Sequence, residues 1–276
     1  MKNSRKIYLL ILICCIIVSC SEDKEIIQGP TYDIMLNETS FGTVLTDKVG
    51  RTLYFHSKDV NGASTCLSGC VDNWPIFSTT NSTFDPRLDP SKFGNIIRDD
   101  GTTQATFKGW PLYYSKLDVK AGDVKGENRD LLWYVAKTNY TVTLANKQLM
   151  GEDGKTYKAD YSEGTGNTPY FTDPVGRTIY SYVNDKKNTN TFTKADFSND
   201  GTWPIYTSDL VEFPSVVDKT LFGTIDVFGK KQLTYKGWPL YYYGADFKLR
   251  GSTRGISVPN PGVWKILNTE TIAAPQ

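Results

Sequence analysis

All six tryptophans fall into three pairs at nearly constant offset: Trp74 with Trp203, Trp110 with Trp238, and Trp133 with Trp264. The words around them repeat as well. Lys108-Gly109-Trp110-Pro111-Leu112-Tyr113-Tyr114 returns as Lys236-Gly237-Trp238-Pro239-Leu240-Tyr241-Tyr242. Thr46-Asp47 followed by Gly50-Arg51-Thr52 returns as Thr172-Asp173 followed by Gly176-Arg177-Thr178, and Trp74-Pro75-Ile76 returns as Trp203-Pro204-Ile205. A chain that repeats itself in this way builds two like units, so the repeat fixes the architecture before any single residue is interpreted. A residue present in both copies serves the fold first. A residue present in one copy is the better functional candidate.

The opening residues stand apart from the repeat. Lys2, Arg5 and Lys6 precede an unbroken apolar run, Ile7 to Val18, of 12 residues. A spanning helix needs about 20, so the run predicts an export signal. It ends at Ser19-Cys20, which resembles a bacterial lipoprotein signal. The expectation is a signal over residues 1–19, acylation (palmitate among the chains) at Cys20, and an acidic tether over 20–30. Several acyl chains on one residue give a stable membrane anchor where a single chain is marginal. Ser21, and the acidic run from Glu22 to Glu25, resemble the signals of outer-membrane lipoproteins, on the periplasmic or the outer face.

Without residues 1–19 the chain holds 28 Lys+Arg against 30 Asp+Glu, because Lys2, Arg5 and Lys6 leave the total of 31. No long basic run remains, so nucleic acid is not expected as a partner. Tyr, Thr, Val, Gly and Asn are plentiful and long Ala/Leu/Glu stretches are absent, which predicts an all-β protein with almost no helix. Two tandem pseudo-symmetric antiparallel units are expected, residues 31–146 and 147–268, as sandwiches or partly open barrels, with a loose tail over 269–276. Strands are predicted at Thr43–Asp47, Arg51–Ser57, Trp74–Phe77, Phe93–Arg98, Thr103–Lys108, Pro111–Ser115 and Leu131–Lys137. A hairpin, Val142–Met150 with Tyr157–Tyr161, is expected around Gly151-Glu152-Asp153-Gly154.

A finer repeat lies inside the duplication. Tyr54 is followed five residues later by Asp59, and the spacing recurs as Tyr113 with Asp118, Tyr180 with Asp185, and Tyr241 with Asp246. In this the chain resembles the bacterial secreted-repeat lipoproteins, whose tandem repeats carry Tyr-x-aromatic-x-x-Asp. Tyr180-Ser181-Tyr182 and Tyr241-Tyr242-Tyr243 fit the strict form, whereas His56 and Ser115 stand where an aromatic is usual. The family also carries a Cys-x3-Cys followed by Trp-Pro, matched by Cys66, Cys70, Trp74 and Pro75. The resemblance implies a fold and an envelope location and brings no biochemical activity with it.

In a strand, residues two apart share a face, so the tyrosine and the third motif position point the same way. An aspartate at the strand exit accepts backbone N–H bonds and starts a turn. The competing reading makes the four aspartates a ring around a cation or a sugar. Duplication also isolates what only the first copy has: the sole histidine, His56, and the two thiols that remain once Cys14 and Cys15 leave with the signal and Cys20 takes lipid. Cys66 and Cys70 form either a small disulfide or, with His56, a soft-metal site suited to copper(I) or zinc, or a thiol-redox pair. Nothing resembles a Gly-x-Ser-x-Gly elbow or His-Glu-x-x-His, so no catalytic residue is nominated. The leading expectation is a non-catalytic envelope repeat protein without cofactor that binds an envelope protein or glycan through its loops. A copper-binding or thiol-redox lipoprotein is the alternative. Oligomeric state is left open.

Overall fold

The duplicated words become duplicated sheets. The computed structural model describes residues 32–276; the expected signal, Cys20 and the tether lie outside the described residues. In the first copy Ile34–Thr39 pairs with Gly42–Asp47, Tyr54–His56 pairs with Trp133–Val135, and Phe93–Ile97, Thr103–Phe107 and Trp110–Pro111 form a three-stranded sheet. The second copy answers element by element. Thr143–Met150 pairs with Asn167–Thr172 and Thr156–Tyr157, Tyr180–Tyr182 with Trp264–Ile266, and Phe222–Val227, Lys230–Tyr235 and Trp238–Pro239 make the matching sheet. Every strand pairing is antiparallel, and registers agree: His56 faces Trp133 as Tyr182 faces Trp264. The expected sandwich or partly open barrel thus takes the form of six small sheets, and no barrel closes among the described residues.

Local chemistry explains the repeated words. Lys108-Gly109 and Lys236-Gly237 are two-residue hairpin loops in which both residues have positive φ, 48° and 77° in the first and 48° and 84° in the second. That is the turn whose twist matches flanking strands, and its second position favours glycine. Thr-Asp-x-x-Gly-Arg is a second device. Asp47 Oδ1 accepts the Val49 and Arg51 N–H groups while its Oδ2 takes the Arg51 guanidinium, and Asp173 does the same with Val175 and Arg177.

The largest hydrophobic cluster includes Phe55, Trp110 and Tyr140 from the first copy and Phe171, Trp203 and Trp238 from the second. The two copies therefore share a core, and the described residues cluster as one compact unit.

Several expectations change in detail. The boundary expected between 146 and 147 falls inside the strand Thr143–Met150. That strand is the counterpart of Ile34–Thr39, because each lies opposite the strand that carries the repeated threonine, Thr46 or Thr172. The expected hairpin forms through only two residue pairs, Leu149 with Tyr157 and Met150 with Thr156. Trp74–Phe77 contributes one isolated bridge, Ile76 to Tyr113, rather than a strand. Just before it, Cys70–Asn73 forms the single α-helix among the described residues, four residues long. The segment 269–276, expected to be loose, is tied down: Trp238 Nε1 donates to the Ile272 carbonyl at 2.8 Å and Ala274 N–H to the Lys236 carbonyl at 2.9 Å.

Candidate functional site

The four Tyr-x4-Asp motifs do not act singly. Tyr54 and Tyr113 lie side by side, exchanging backbone N–H···O bonds at 2.8 and 2.9 Å. Their side chains then cross. Tyr54 donates its hydroxyl to Asp118 Oδ2 at 2.7 Å, and Tyr113 donates to Asp59 Oδ2 at 2.5 Å. The second copy repeats this: Tyr180 donates to Asp246 and Tyr241 to Asp185, both at 2.7 Å. Each motif supplies the tyrosine for its partner's aspartate, in a reciprocal clasp with local two-fold character.

The other carboxylate oxygen ties down a loop. Asp59 Oδ1 accepts Thr65 N–H and hydroxyl, and Asp185 Oδ1 accepts Thr191 N–H and hydroxyl. Asp118 Oδ1 accepts Lys125 N–H, and Asp246 Oδ1 accepts Arg254 N–H and the Ser252 hydroxyl. The aspartates thus accept backbone N–H bonds as expected, but from residues six to eight positions on rather than from a tight turn. All four tyrosines are fully buried. Burial, with the neighbouring carboxylate second, raises the phenols of Tyr54, Tyr113, Tyr180 and Tyr241 far above their usual range. Burial likewise pushes the carboxyls of Asp118 and Asp185 upward and that of Asp246 up to about 6. A carboxylate held out of water by hydrogen-bond donors is costly unless all its partners are present.

The clasps bracket a tryptophan stack. Trp74 and Trp133 lie 3.8 Å apart and 5° from parallel, and Trp203 and Trp264 lie 3.6 Å apart and 9° from parallel. Third motif positions continue the stack. His56 lies 4.1 Å from Trp133, Tyr182 lies 4.7 Å from Trp264, and Tyr243 lies 4.3 Å from Trp203. Ser115 brings no ring to the fourth place.

Cys66 and Cys70 are joined by a disulfide. Cys66 is fully buried, and its carbonyl accepts from Nη2 of the buried Arg98 at 2.7 Å. The His56 imidazole is buried beside the clasp, with Nδ1 3.1 Å from the Thr65 hydroxyl and 3.4 Å from Asp59 Oδ1. It faces the loop-tying side of Asp59. No three His, Cys, Asp or Glu side chains converge as a metal-ligand group among the described residues.

Sequence reasoning missed the concave features, among them one beside the second clasp. A cavity of about 240 Å³ in the second copy is lined by Arg177, Asp200, Pro204, Tyr242, Tyr243 and Lys248. Lys230 meets Asp200 Oδ2 at 3.2 Å, whereas the buried Oδ1 has no hydrogen-bond partner. Aromatic faces, a carboxylate and two cationic side chains in its lining suit a small polyhydroxylated or amine-bearing ligand. Its sequence signal was the third-position tyrosine, Tyr243, which the first copy replaces with Ser115.

Residues 35–78 and 94–137 each match the model of a family described as a secreted repeat of unknown function. The two matches lie in tandem. The first match contains Tyr54, Asp59, Cys66, Cys70 and Trp74, and the second contains Trp110, Tyr113, Asp118 and Trp133, so one secreted repeat supplies one half of a clasp. Both matches fall in the first copy; the second copy builds the same clasp from Tyr180, Asp185, Tyr241 and Asp246. No curated protein and no solved structure matches the chain. No helix among the described residues is long and apolar enough to cross a membrane.

Proposed function

We propose that the chain is a non-catalytic, lipid-anchored repeat protein of the cell envelope, a rigid body that presents loops and one pocket to a glycan or an envelope protein. The observation that carries this reading is the reciprocal clasp. The tyrosines and aspartates that a reaction would draw on are buried and bonded to one another, and both oxygens of each carboxylate are already engaged. The chemistry of the motif is thereby directed to holding loops in place, and loops on a rigid scaffold are where binding resides. The cavity that Tyr242 and Tyr243 line with Arg177, Asp200 and Lys248 makes the second copy the favoured face. The anchor rests on Ser19-Cys20 after the apolar run.

Two experiments test the two parts. Metabolic labelling with a palmitate analogue should mark the wild-type chain and place it in the outer-membrane fraction, and Cys20→Ser should lose both label and membrane association. An unlabelled wild-type chain would sink the anchor. The chain without its signal should give hits on a glycan array, or retain an envelope protein, with the signal lost in Asp200→Ala/Lys248→Ala. Silence in both formats would remove the binding reading.

A further inference from the structure

The two Lys-Gly-Trp turns sit in equivalent surroundings but hold different occupants. At the first turn, the Trp110 Nε1–H donates to the carbonyl of Pro174, which lies in the Asp173–Arg177 turn of the second copy. The Lys108 carbonyl accepts from Arg250 Nη1, and Lys108 Nζ donates to the Thr138 carbonyl. This is the joint between the copies. At the second turn, the Trp238 Nε1–H donates to the Ile272 carbonyl, the Lys236 carbonyl accepts from Ala274 N–H, and Lys236 Nζ donates to the Thr269 carbonyl. The segment 269–275 therefore bonds the same indole N–H and the same lysine carbonyl that, in the first copy, the joint to the next unit bonds, while the lysine ammonium is held within each copy by the equivalent Thr138 or Thr269 carbonyl.

The fit of the two occupants differs. The joint at Trp110 leaves a void of about 20 Å³. The segment over Trp238 is flanked by cavities of about 690 and 260 Å³, both lined by Glu270, Thr271 and Ile272. Ile272 itself is 80% exposed, and the buried anchor is Ala274. The matching turn on the first copy, Asp47 to Arg51, has the same internal bonds as Asp173 to Arg177. Among the described residues its Lys48 and Val49 carbonyls carry no bond like those of Pro174 and Val175, and Val49 at its tip is 62% exposed against 40% for Val175.

We propose that the Lys236-Gly237-Trp238 turn is a docking socket for a further unit, held shut by the 269–275 segment, and that its other occupant is the Asp47–Arg51 turn of a second copy of this chain. The internal joint supplies the geometry of the complex, and self-complementary ends of this kind join head to tail. One component of the joint is absent from the free turn. Arg250 follows Leu249 and precedes Gly251, whose N–H donates to the Gly176 carbonyl; the first copy has Ala121 before Gly122, whose N–H donates to the Gly50 carbonyl. The joint between two chains lacks the guanidinium pin and is weaker than the internal one.

The test uses the chain without its signal and tether. Ala274→Asp expels the segment from its buried anchor without shortening the chain. Sedimentation velocity should then show a mass that rises with concentration, while the wild type stays monomeric over the same range. Adding Ala121→Arg to Ala274→Asp supplies the pin and should tighten association at least about tenfold, the effect of one charge-assisted hydrogen bond. Adding Val49→Asp instead should abolish it. A synthetic peptide of residues 268–276 should return the Ala274→Asp chain to monomer. An Ala274→Asp chain that keeps its near-ultraviolet circular dichroism yet remains monomeric, with or without Ala121→Arg, overturns the proposal. So does association that Val49→Asp leaves unchanged. If Ala274→Asp unfolds, the same comparison is made with the chain cut after Leu267.

Discussion

The two copies share one clasp and one tryptophan stack but close the space beside them differently. Thr65 and Thr191 hold the same place, each bonded through N–H and hydroxyl to its motif aspartate. The residue after Thr65 is Cys66, disulfide-bonded to Cys70. The residue after Thr191 is Phe192, whose ring meets Trp264 at 4.8 Å, Tyr182 at 5.2 Å and Tyr241 at 6.3 Å. One copy pins its loop covalently and the other pins it by packing. The stacks differ in step: His56, Trp133 and Trp74 make three rings, while Tyr182, Trp264, Trp203 and Tyr243 make four. The comparison teaches that the single-copy residues, singled out as functional candidates, are first of all alternative solutions to one packing problem.

The clasp should be where the copies agree. Asp59→Ala and Asp185→Ala each release a loop and remove the carboxylate from a buried tyrosine hydroxyl, leaving Tyr113 with Ser64 and Tyr241 with no partner among the described residues, so each should cost about 3–5 kcal/mol, read from urea unfolding. A cost below 1 kcal/mol in either copy would break the equivalence. The loop pins should differ in kind. Phe192→Ala should cost about 2–3 kcal/mol under all redox conditions. The Cys66→Ser/Cys70→Ser chain should lose about 2 kcal/mol, the entropy of so short a loop, and reduction of the wild type should reproduce that loss. Stoichiometric copper(I) uptake by the reduced wild type, absent in the serine variant, would instead favour the metal-handling alternative.

Asp246 sharpens the comparison through pH. Its folded-state carboxyl titrates at about 6, above the unfolded value near 3.9, chiefly because it is buried. The folded chain therefore holds the proton more tightly, and stability contributed by this group is present below pH 4 and lost as pH rises through 6. Unfolding free energy should fall by something on the order of 2 kcal/mol between pH 4 and 7, and Asp246→Asn should remove that slope. A wild-type slope that survives the substitution assigns it to other groups. The smallest effect is expected for His56→Tyr, which restores the ring found at Tyr182. It should shift stability by less than about 1 kcal/mol, since one stacked ring replaces another; a larger loss would mark the imidazole's contact with Thr65 as important.

Legibility followed the distance over which each signal acts. The duplication, the strand-rich class and the Tyr-x4-Asp spacing stand in the sequence because they repeat in place. The crossing of Tyr54 to Asp118 and Tyr113 to Asp59 does not, because a five-residue spacing says nothing about a partner 64 or 54 residues away. The strand Ile34–Thr39 lies outside the repeated words, and its counterpart Thr143–Met150 matches it in register at a single leucine, Leu36 with Leu144, so neither announced the other. The helix Cys70–Asn73 spans four residues, too few for a helical period. The docking of 269–275 rests on backbone carbonyls taken by Lys236 and Trp238, a kind of bond that leaves no trace in side-chain identity.

The crossed bonding has a consequence for how such genes change length. A lone motif carries a phenol without its acceptor and a carboxylate without its donor, both shut away from water. Gain or loss of one repeat leaves such an orphan, while gain or loss of two leaves none. Viable relatives should therefore hold even numbers of the motif, and an odd count should coincide with a mutated tyrosine or aspartate in the unmatched member.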